Sequence, residues 1–382
     1  MGYELNGSRL REARRYRRLT ITSLSEEIGV SKQMISRYER GTAQPGLDVF
    51  QQIVKSLQFP VAFFTGENKF DYEDEGTYFR SRLTSTQSEK MPSETYKKAS
   101  GLVRDLFGEY IDFPPLFVNN IDSKSPKTAA SKLRAAWQLG DKPIEDMLRL
   151  LETHGVIVAV VNSGSEKIDA HSGYVDINDA RYYVVLVDAH STTFYRQQFG
   201  LAHELGHFIL HADSVDPQSL DGGEYRQMEK EADEFASEFL LPAQPFEESI
   251  GGKLMDLDFY ARLKTKWHVA AGAMVFRARS LQLLDSDQYL RLQKRISARG
   301  WRKEEPLDRI TAPIKPHLLS DSLDLLENAN IIHARDIAGL LDSRYGVALP
   351  TEILSQVIGV PVSRFKAEIV QLKDLSLSLI HI

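Results

Sequence analysis

The sequence of 382 residues contains no cysteine. This absence excludes a disulfide framework and a thiolate metal site, so a transition metal would have to be held by histidine, aspartate or glutamate. Long apolar runs are also absent, because no run of about eighteen apolar residues occurs without a charge. The first residues are rich in arginine and lack the apolar segment of a secretory leader. We therefore expect a cytoplasmic chain without a membrane-spanning segment.

The charge is distributed unevenly along the chain. The formal net charge is −6, but residues 1–60 carry ten Lys/Arg against six Asp/Glu and are therefore positive. A small basic module joined to a larger acidic body predicts that only the front of the chain meets a polyanion. A chain of this length also exceeds one ordinary core, so we expect two or three domains.

Residues 6–65 have the pattern of several short helices, two of which are spaced as in a helix-turn-helix. Thr20 can cap one helix that Gly29 ends, and Ser31 can cap the next, which stops at Gly41. Ser25 is small where the two helices must approach each other. The second helix would then enter the major groove of DNA. The candidate base contacts are Lys32, Gln33, Ser36 and Arg37, and the candidate phosphate contacts are Arg17, Arg18 and Arg40.

This basic segment resembles the Xre/Cro family of helix-turn-helix domains, with Ser25 in place of the alanine usual there. The resemblance implies a double-stranded DNA operator as partner. Because paired half-sites need two modules, we also expect a homodimer. A helical module that binds another protein is the alternative interpretation.

A second motif, His203-Glu204-Leu205-Gly206-His207, lies in a helical stretch. Two histidines four residues apart project from one helix face, about 6 Å apart at Cβ, which suits a tetrahedral Zn²⁺. Glu204 is placed to hold a water and remove its proton. The alternative is a surface helix with two solvated histidines, but the apolar residues around the motif predict burial. Gly206 costs the helix about 1 kcal/mol against alanine, which close packing at a metal site would explain.

The third ligand is less certain from spacing alone. Glu229 and Asp233 lie one helical turn apart, so one carboxylate can bind the metal while the other accepts a hydrogen bond from a ligand histidine. Glu231 lies roughly 200° around that helix from both and ranks second as a ligand. Asp213 is the competing position of a metzincin, although a leucine replaces the glycine that the necessary turn requires. We expect His211 to be structural.

The stretch FGLAHELGHFILH, followed by EKEADEFASEFLLP, resembles the ImmA/IrrE family of metallopeptidases. The likeness covers about residues 97–290 and extends to GWRKEEPLD at 300–308. It implies that His203, His207 and Glu229 hold one Zn²⁺ per chain and that Glu204 is the catalytic base. It further implies a protein substrate, such as a repressor or a co-encoded regulatory protein. Asp233 stands where many members of the family have asparagine, so the resemblance does not establish that Asp233 contacts a ligand histidine.

Taken together, these patterns predict an α+β, mostly helical chain in four parts. A helix-turn-helix domain would span 6–65, a linker 66–96, a gluzincin-like metallopeptidase domain with a small sheet 97–290, and a helical C-terminal region 291–382. Strands are expected at 156–161 and 182–187 and long helices at about 192–211 and 224–241. The C-terminal region carries no chemical motif and could pack, dimerise or cover the cleft.

Two further questions stay open at the level of sequence. Tyr195, Arg196 and His171 are all candidates for the donor that stabilises an oxyanion, and spacing does not choose among them. The alternative function is a regulator whose metal domain senses a metal or ligand without cutting. The intact Glu204 favours the peptidase, because a purely structural site needs no base.

Overall fold

The structure is a computed structural model that describes residues 4–67, 69–73, 78–79, 87–117, 121, 123, 125–162, 170–189, 193–211 and 220–366. Over these residues the chain is mostly helical with a small mixed sheet, as the sequence predicts. Within the same residues, no helix combines the length and the apolar character that crossing a bilayer requires.

The N-terminal helices begin and end at the capping residues expected from the sequence. The Thr20 hydroxyl accepts from the Ser23 amide at 2.9 Å, and the Ser31 hydroxyl accepts from the Met34 amide at 3.2 Å. Gly29, with a φ of 70°, adopts the left-handed backbone that the turn requires. The five helices are α1 Gly7–Tyr16, α2 Ile21–Glu27, α3 Lys32–Glu39, α4 Leu47–Leu57 and α5 Val61–Thr65.

The remaining elements follow in two groups. The first consists of β1 Tyr72–Glu73, β2 Tyr78–Phe79, α6 Gln87–Phe107, α7 Pro126–Ala136, α8 Met147–Glu152, β3 Ile157–Val161, β4 Ala170–Ile177 and β5 Ala180–Asp188. The second is helical and consists of α9 Phe194–Leu210, α10 Gly222–Leu240, α11 Ala243–Ile250, α12 Leu257–Trp267, α13 Ala271–Ser280, α14 Ser286–Ala298, α15 Leu318–Asn328, α16 Ile337–Tyr345 and α17 Thr351–Ile358.

The sheet has the strand order β1-β4-β5-β3, and β2 also pairs with β4. β3 runs parallel to β5, whereas β4 and β5 form an antiparallel hairpin in which Ile177 lies opposite Ala180. The two-residue turn uses Asn178 at a φ of 51°. The sequence predicted β3 and β5 but not β4, because β4 contains the polar pair His171-Ser172 and a glycine instead of a β-branched run.

The segment 66–96, expected to be a linker, contributes to the fold of the body. β1 and β2 both pair with β4, and α6 begins at Gln87. The segment is polar in composition, but backbone pairing is nearly independent of side-chain type. The division of the chain into four domains remains a prediction.

The sheet separates two hydrophobic cores, because successive strand residues face opposite sides. One face, including Ile157, Val175 and Leu186, packs with α6, the N-terminal helices and α15–α17; we call this the α6 core. The other face, including Val158 and Tyr183, packs with α9 and α10; we call this the α9 core. The helices α15–α17 therefore lie on the other side of the sheet from α9.

Polar contacts tie the N-terminal helices to the rest of the α6 core. The Tyr16 and Tyr96 hydroxyls lie 3.0 Å apart, and the Tyr96 hydroxyl donates to Gln356 Oε1 at 3.0 Å. The buried Arg9 guanidinium donates to the Gly346 carbonyl at 3.4 Å. The helix-turn-helix is thus packed against both α6 and the C-terminal helices.

Candidate metal centre and helix-turn-helix face

The close contact of α9 with α10 depends on small residues. A Cβ built on Gly206 would lie 3.1 Å from both the Cα and the carbonyl oxygen of Ala232, and equally close to the Phe235 ring. Alanine is therefore too large at this position unless the neighbouring backbone moves. This contact confirms the expected reason for a glycine inside α9, and it brings carboxylates of α10 to the histidines.

Three side chains from these helices converge on one point. His203 Nε2 and His207 Nε2 are 3.0 Å apart, and the Glu229 carboxylate oxygens lie 3.5 Å and 3.4 Å from them, respectively. A tetrahedron with ligands about 2.0–2.1 Å from its centre has edges of about 3.4 Å. The three groups, whose ligand atoms all lie within 4.8 Å of one another, therefore fit a single metal ion.

Both histidines are oriented through their other ring nitrogen. His203 Nδ1 lies 2.8 Å from Asp233 Oδ1. His207 Nδ1 lies 3.2 Å from His211 Nδ1, and His211 Nε2 lies 3.0 Å from Glu231 Oε2. Such contacts fix the tautomer and the ring orientation of a ligand histidine. Glu231, the second-ranked ligand candidate, is thus directed at His211 instead of at the convergence point.

The protonation states of this cluster suit a cation. Burial lowers the pKa of His207 to about 4, so the ring is neutral at pH 7. Burial would raise the pKa of Glu229, but hydrogen bonds and charge from His203 and His207 outweigh it and lower the pKa to about 2. Neutral imidazole and ionised carboxylate are the forms that bind a metal.

Glu204 is fully buried beside this cluster and is held by a strand that the sequence did not predict. The Ser172 hydroxyl, on β4, donates to Glu204 Oε2 at 2.5 Å and lies 2.8 Å from the Tyr183 hydroxyl on β5. With its proton directed at Glu204, Ser172 accepts from Tyr183. Sequence reasoning missed both residues; the only available signal was the Asn178-Asp179 turn, which marks a hairpin and hence a strand before it.

The contacts described for the candidate oxyanion donors are with other parts of the protein. His171 lies on the opposite sheet face from Ser172, and burial followed by the charge of Lys97 lowers its pKa to about 3. The Tyr195 hydroxyl is 3.3 Å from Thr311 Oγ1, and Arg196 donates to the Arg302 carbonyl at 2.7 Å. Asp213, the competing third ligand, lies outside the described residues.

The candidate base contacts form one open face of α3. Lys32, Gln33 and Arg37 are exposed and Ser36 is half-buried, while the exposed Arg40 extends the same face. On the reverse side Ile35, Tyr38 and Glu39 are buried. α3 therefore presents its polar N-terminal half outward, as an element that enters a DNA groove must.

Arg17 and Arg18 are placed differently from Arg40, the third candidate phosphate contact. Arg17 donates from Nε to the Leu57 carbonyl at 2.7 Å and from Nη2 to the Gln58 carbonyl at 3.1 Å. These bonds fasten the end of α1 to the end of α4 and use two of the five N–H donors of the guanidinium. Arg18 lies half-buried in the turn after α1, with a φ of 57°.

A buried ion pair fixes α3 against α1. Arg14 donates to both carboxylate oxygens of Glu39, at 2.5 Å from Nε and 3.1 Å from Nη2. Both residues are less than a tenth exposed. Glu39 also lies 3.5 Å from Arg11 Nε, whereas removal of Glu39 would leave the Arg14 guanidinium buried without a carboxylate partner.

Comparison with known families matches the two segments separately. Residues 10–64 match the helix-turn-helix family, and residues 151–279 match a peptidase family described as the IrrE N-terminal-like domain. The chain thus carries a helix-turn-helix domain and an IrrE N-terminal-like domain, which confirms both resemblances.

Two curated relatives are uncharacterized HTH-type transcriptional regulators of Sinorhizobium fredii. The chain is 36% identical to y4wC and 34% identical to y4aM, in each case over 58 residues. The match covers 15% of this chain and 41% of each relative, so the chain spans about two fifths of the length of these relatives.

Proposed function

We propose that this chain is a DNA-binding transcriptional regulator whose IrrE-like domain is a zinc-dependent endopeptidase. The observation that carries the proposal is the convergence of His203, His207 and Glu229 beside the buried Glu204. A metal cluster alone would fit a structural site, but a further carboxylate next to the ligands supplies the base that hydrolysis needs. Zinc is the metal best suited to two imidazoles and one carboxylate with a fourth position open.

The residues divide the chemistry among them. His203, His207 and Glu229 would hold the ion, which when bound supplies Lewis acidity that polarises a carbonyl and lowers the pKa of water to about 7. Glu204 would take the proton of the attacking water and pass it to the leaving amine. Ser172, backed by Tyr183, would hold the Glu204 carboxylate in position through the bond to Oε2.

Asp233 and His211 would keep the ligand rings in place. Asp233 accepts from His203 Nδ1, which would leave the Nε2 lone pair of that ring available to bind the ion. His211, which is bonded to Glu231, would orient the His207 ring in the same way through its contact with His207 Nδ1. The tautomer and the orientation of both imidazoles would then be fixed before a metal ion binds.

The other end of the chain supports the regulatory part of the proposal. Lys32, Gln33, Ser36 and Arg37 would read base edges, while Arg40 would bind phosphate. We expect a cytoplasmic homodimer on a double-stranded operator, because paired half-sites need two modules. The protein substrate would be a repressor or another regulatory protein encoded nearby.

The test compares the zinc-loaded wild type with Glu204→Gln on a complex mixture of peptides and on proteins encoded beside this chain. Loss of the base should reduce cleavage by at least about 10³-fold while the bound zinc is unchanged. Full activity in Glu204→Gln would exclude this mechanism. A parallel Glu26→Gln variant, at an exposed position in α2, controls for loss of a carboxylate as such.

A second candidate function is a regulator that senses a metal or ligand without cutting. The continuous α6 core favours it, since the helix-turn-helix and the sheet beside the metal cluster share packed side chains. Tight operator binding that depends on metal, with no cleavage of any protein supplied, would select this function.

A further inference from the structure

A cavity of 450 Å³ opens beside the candidate metal cluster, between α9, α13, α14 and residues 301–305. This volume lies in the range of about 300–1,000 Å³ that is usual for ligand sites. Much of the wall is apolar, and Phe276 is 37% exposed although large aromatic side chains are normally covered. The apolar wall consists mainly of Phe199, Phe276, Tyr289, Ile296 and Trp301.

The cavity is linked to the cluster through two of its lining residues, Gly200 and Asp233. Gly200, which lines it, lies about one helical turn before His203 and Glu204 on α9, or about 4.5–6 Å along the axis. Asp233 lines the same cavity and contacts the His203 ring at 2.8 Å. A peptide with a carbonyl at the cluster would therefore bring a neighbouring side chain to the cavity mouth.

Most polar side chains of the wall are already bonded inside the protein, among them Arg302, which donates to Gln293 Oε1 at 2.9 Å. Arg196 donates to the carbonyls of residues 301 and 302, Gln197 exchanges two 2.8 Å bonds with the Ile314 backbone, and Glu305 accepts from two amides of α13. Glu305 also lies 3.0 Å from the Lys264 ammonium. Charged ligands are recognised by polar groups that remain available, so this wall favours an apolar occupant.

Gly200 keeps the floor of the cavity open. A Cβ built at this glycine meets nothing within 4 Å, in contrast to Gly206 six residues later. A glycine inside a helix costs about 1 kcal/mol against alanine, and the packing around Gly200 does not require a glycine. Open space on the cavity side is what the missing side chain provides.

We propose that this cavity is a specificity pocket that receives an apolar or aromatic side chain of the peptide substrate, within two residues of the bond that is cut. This inference rests on the proposed peptidase function. It also gives a role to the motif at 300–308, because Trp301 and Glu305 from that motif build the outer wall.

The first experiment needs neither cleavage nor metal. The full chain, with its three tryptophans replaced by 5-fluorotryptophan, is titrated with N-acetyl-phenylalaninamide and N-acetyl-glycinamide. The Trp301 resonance should respond to the first probe only, and the apparent Kd should rise at least about tenfold in Gly200→Leu. Gly339→Leu is the matched control, because Gly339 is a helical glycine of α16 that also faces open space.

The second experiment maps the bonds that the zinc-loaded chain cuts in a peptide mixture. The wild type and Gly339→Leu should cut beside apolar or aromatic residues, Gly200→Leu should shift to small residues, and Glu204→Gln should cut nothing. Cleavage without such a preference, or an equal Trp301 response in Gly200→Leu, would overturn the pocket and leave the peptidase. A Trp301 response with no cleavage by the wild type would instead overturn the proposed function and with it the pocket's part in cleavage.

Discussion

The two candidate functional helices of this chain, α3 and α9, place their polar side chains in opposite environments. On α3 the residues proposed to contact DNA bases are exposed or half-exposed, and the residues that fold the helix lie on its reverse side. On α9 the proposed ligands and base are themselves buried, and each contacts a side chain of a neighbouring element. Fold and function are thus separable on α3 and shared by the same side chains on α9.

The sheet explains why the two helices can differ. α3 belongs to the α6 core and α9 to the core on the other face, with β4 and β5 between them. We therefore expect a substitution on the exposed face of α3 to affect function more than stability, and a substitution at a buried position of α3 or α9 to affect stability.

The largest effect is expected on the buried side of α3. Glu39→Ala would leave the Arg14 guanidinium buried without its partner, which typically costs about 3–5 kcal/mol of folding free energy. Urea unfolding of the full chain measures this loss. A loss below about 1 kcal/mol would show that water reaches Arg14 and that the pair is not a fixed part of the fold.

Glu152, on α8, lies at the junction between the two cores, and the pH dependence of stability tests its role there. Its carboxylate accepts from the amides of His317 and Leu318, and burial raises its pKa to about 7. A folded pKa above the unfolded value of about 4.5 favours the protonated form, so this group's contribution is complete below pH 4.5 and is lost as pH rises to 7. Glu152→Gln should therefore be more stable than the wild type at pH 8, by up to about 3 kcal/mol.

Unfolding midpoints of the metal-free chain between pH 5 and pH 8 check this prediction. The advantage of Glu152→Gln should grow across that range, while Glu26→Gln follows the wild type. An equal pH dependence in Glu152→Gln and the wild type would mean that Glu152 is ionised throughout.

Two glycines of α9 allow a matched comparison within one helix. Gly206→Ala should destabilise the chain by about 1–3 kcal/mol, because its Cβ meets Ala232 at 3.1 Å. Gly200→Ala should stabilise it by about 0.5–1 kcal/mol, because its Cβ meets open space. Thermal unfolding of both variants gives the signs, and the same sign for both would refute the described packing of α9 against α10.

The smallest effect on stability is expected on the exposed face of α3. Arg37→Ala should change the folding free energy by no more than about 0.5 kcal/mol, yet weaken operator binding by about 1–3 kcal/mol. Binding to a selected operator and thermal unfolding are measured on the same preparation. Unchanged DNA affinity would remove Arg37 from the proposed contacts.

Sequence could predict what depends on local geometry. The spacing of His203 and His207 predicts their common face because helical periodicity fixes it, and Thr20 and Ser31 mark helix starts through their own backbone contacts. The position of Glu229 beside the histidines also required α10 to pack against α9. That step came from a family resemblance, with small residues as supporting signs.

What sequence could not predict depends on distant partners. Ser172 reaches Glu204 across 32 positions, and no local pattern of β4 reveals the contact. Composition counts Arg17, at the end of α1, among the basic residues, although two of its donors are bonded to the end of α4. The strands in 66–96 form because β4 offers backbone partners, which the polar side chains of that segment do not encode.

The central claim is a metal site formed by His203, His207 and Glu229, and elemental analysis of the purified chain tests it most directly. We expect about one zinc per chain in the wild type, in Glu234→Gln on the same helix and in Asp213→Ala, and its loss in Glu229→Gln. No metal in the wild type after zinc is supplied, or full retention in Glu229→Gln, would contradict the site and the chemistry proposed for it.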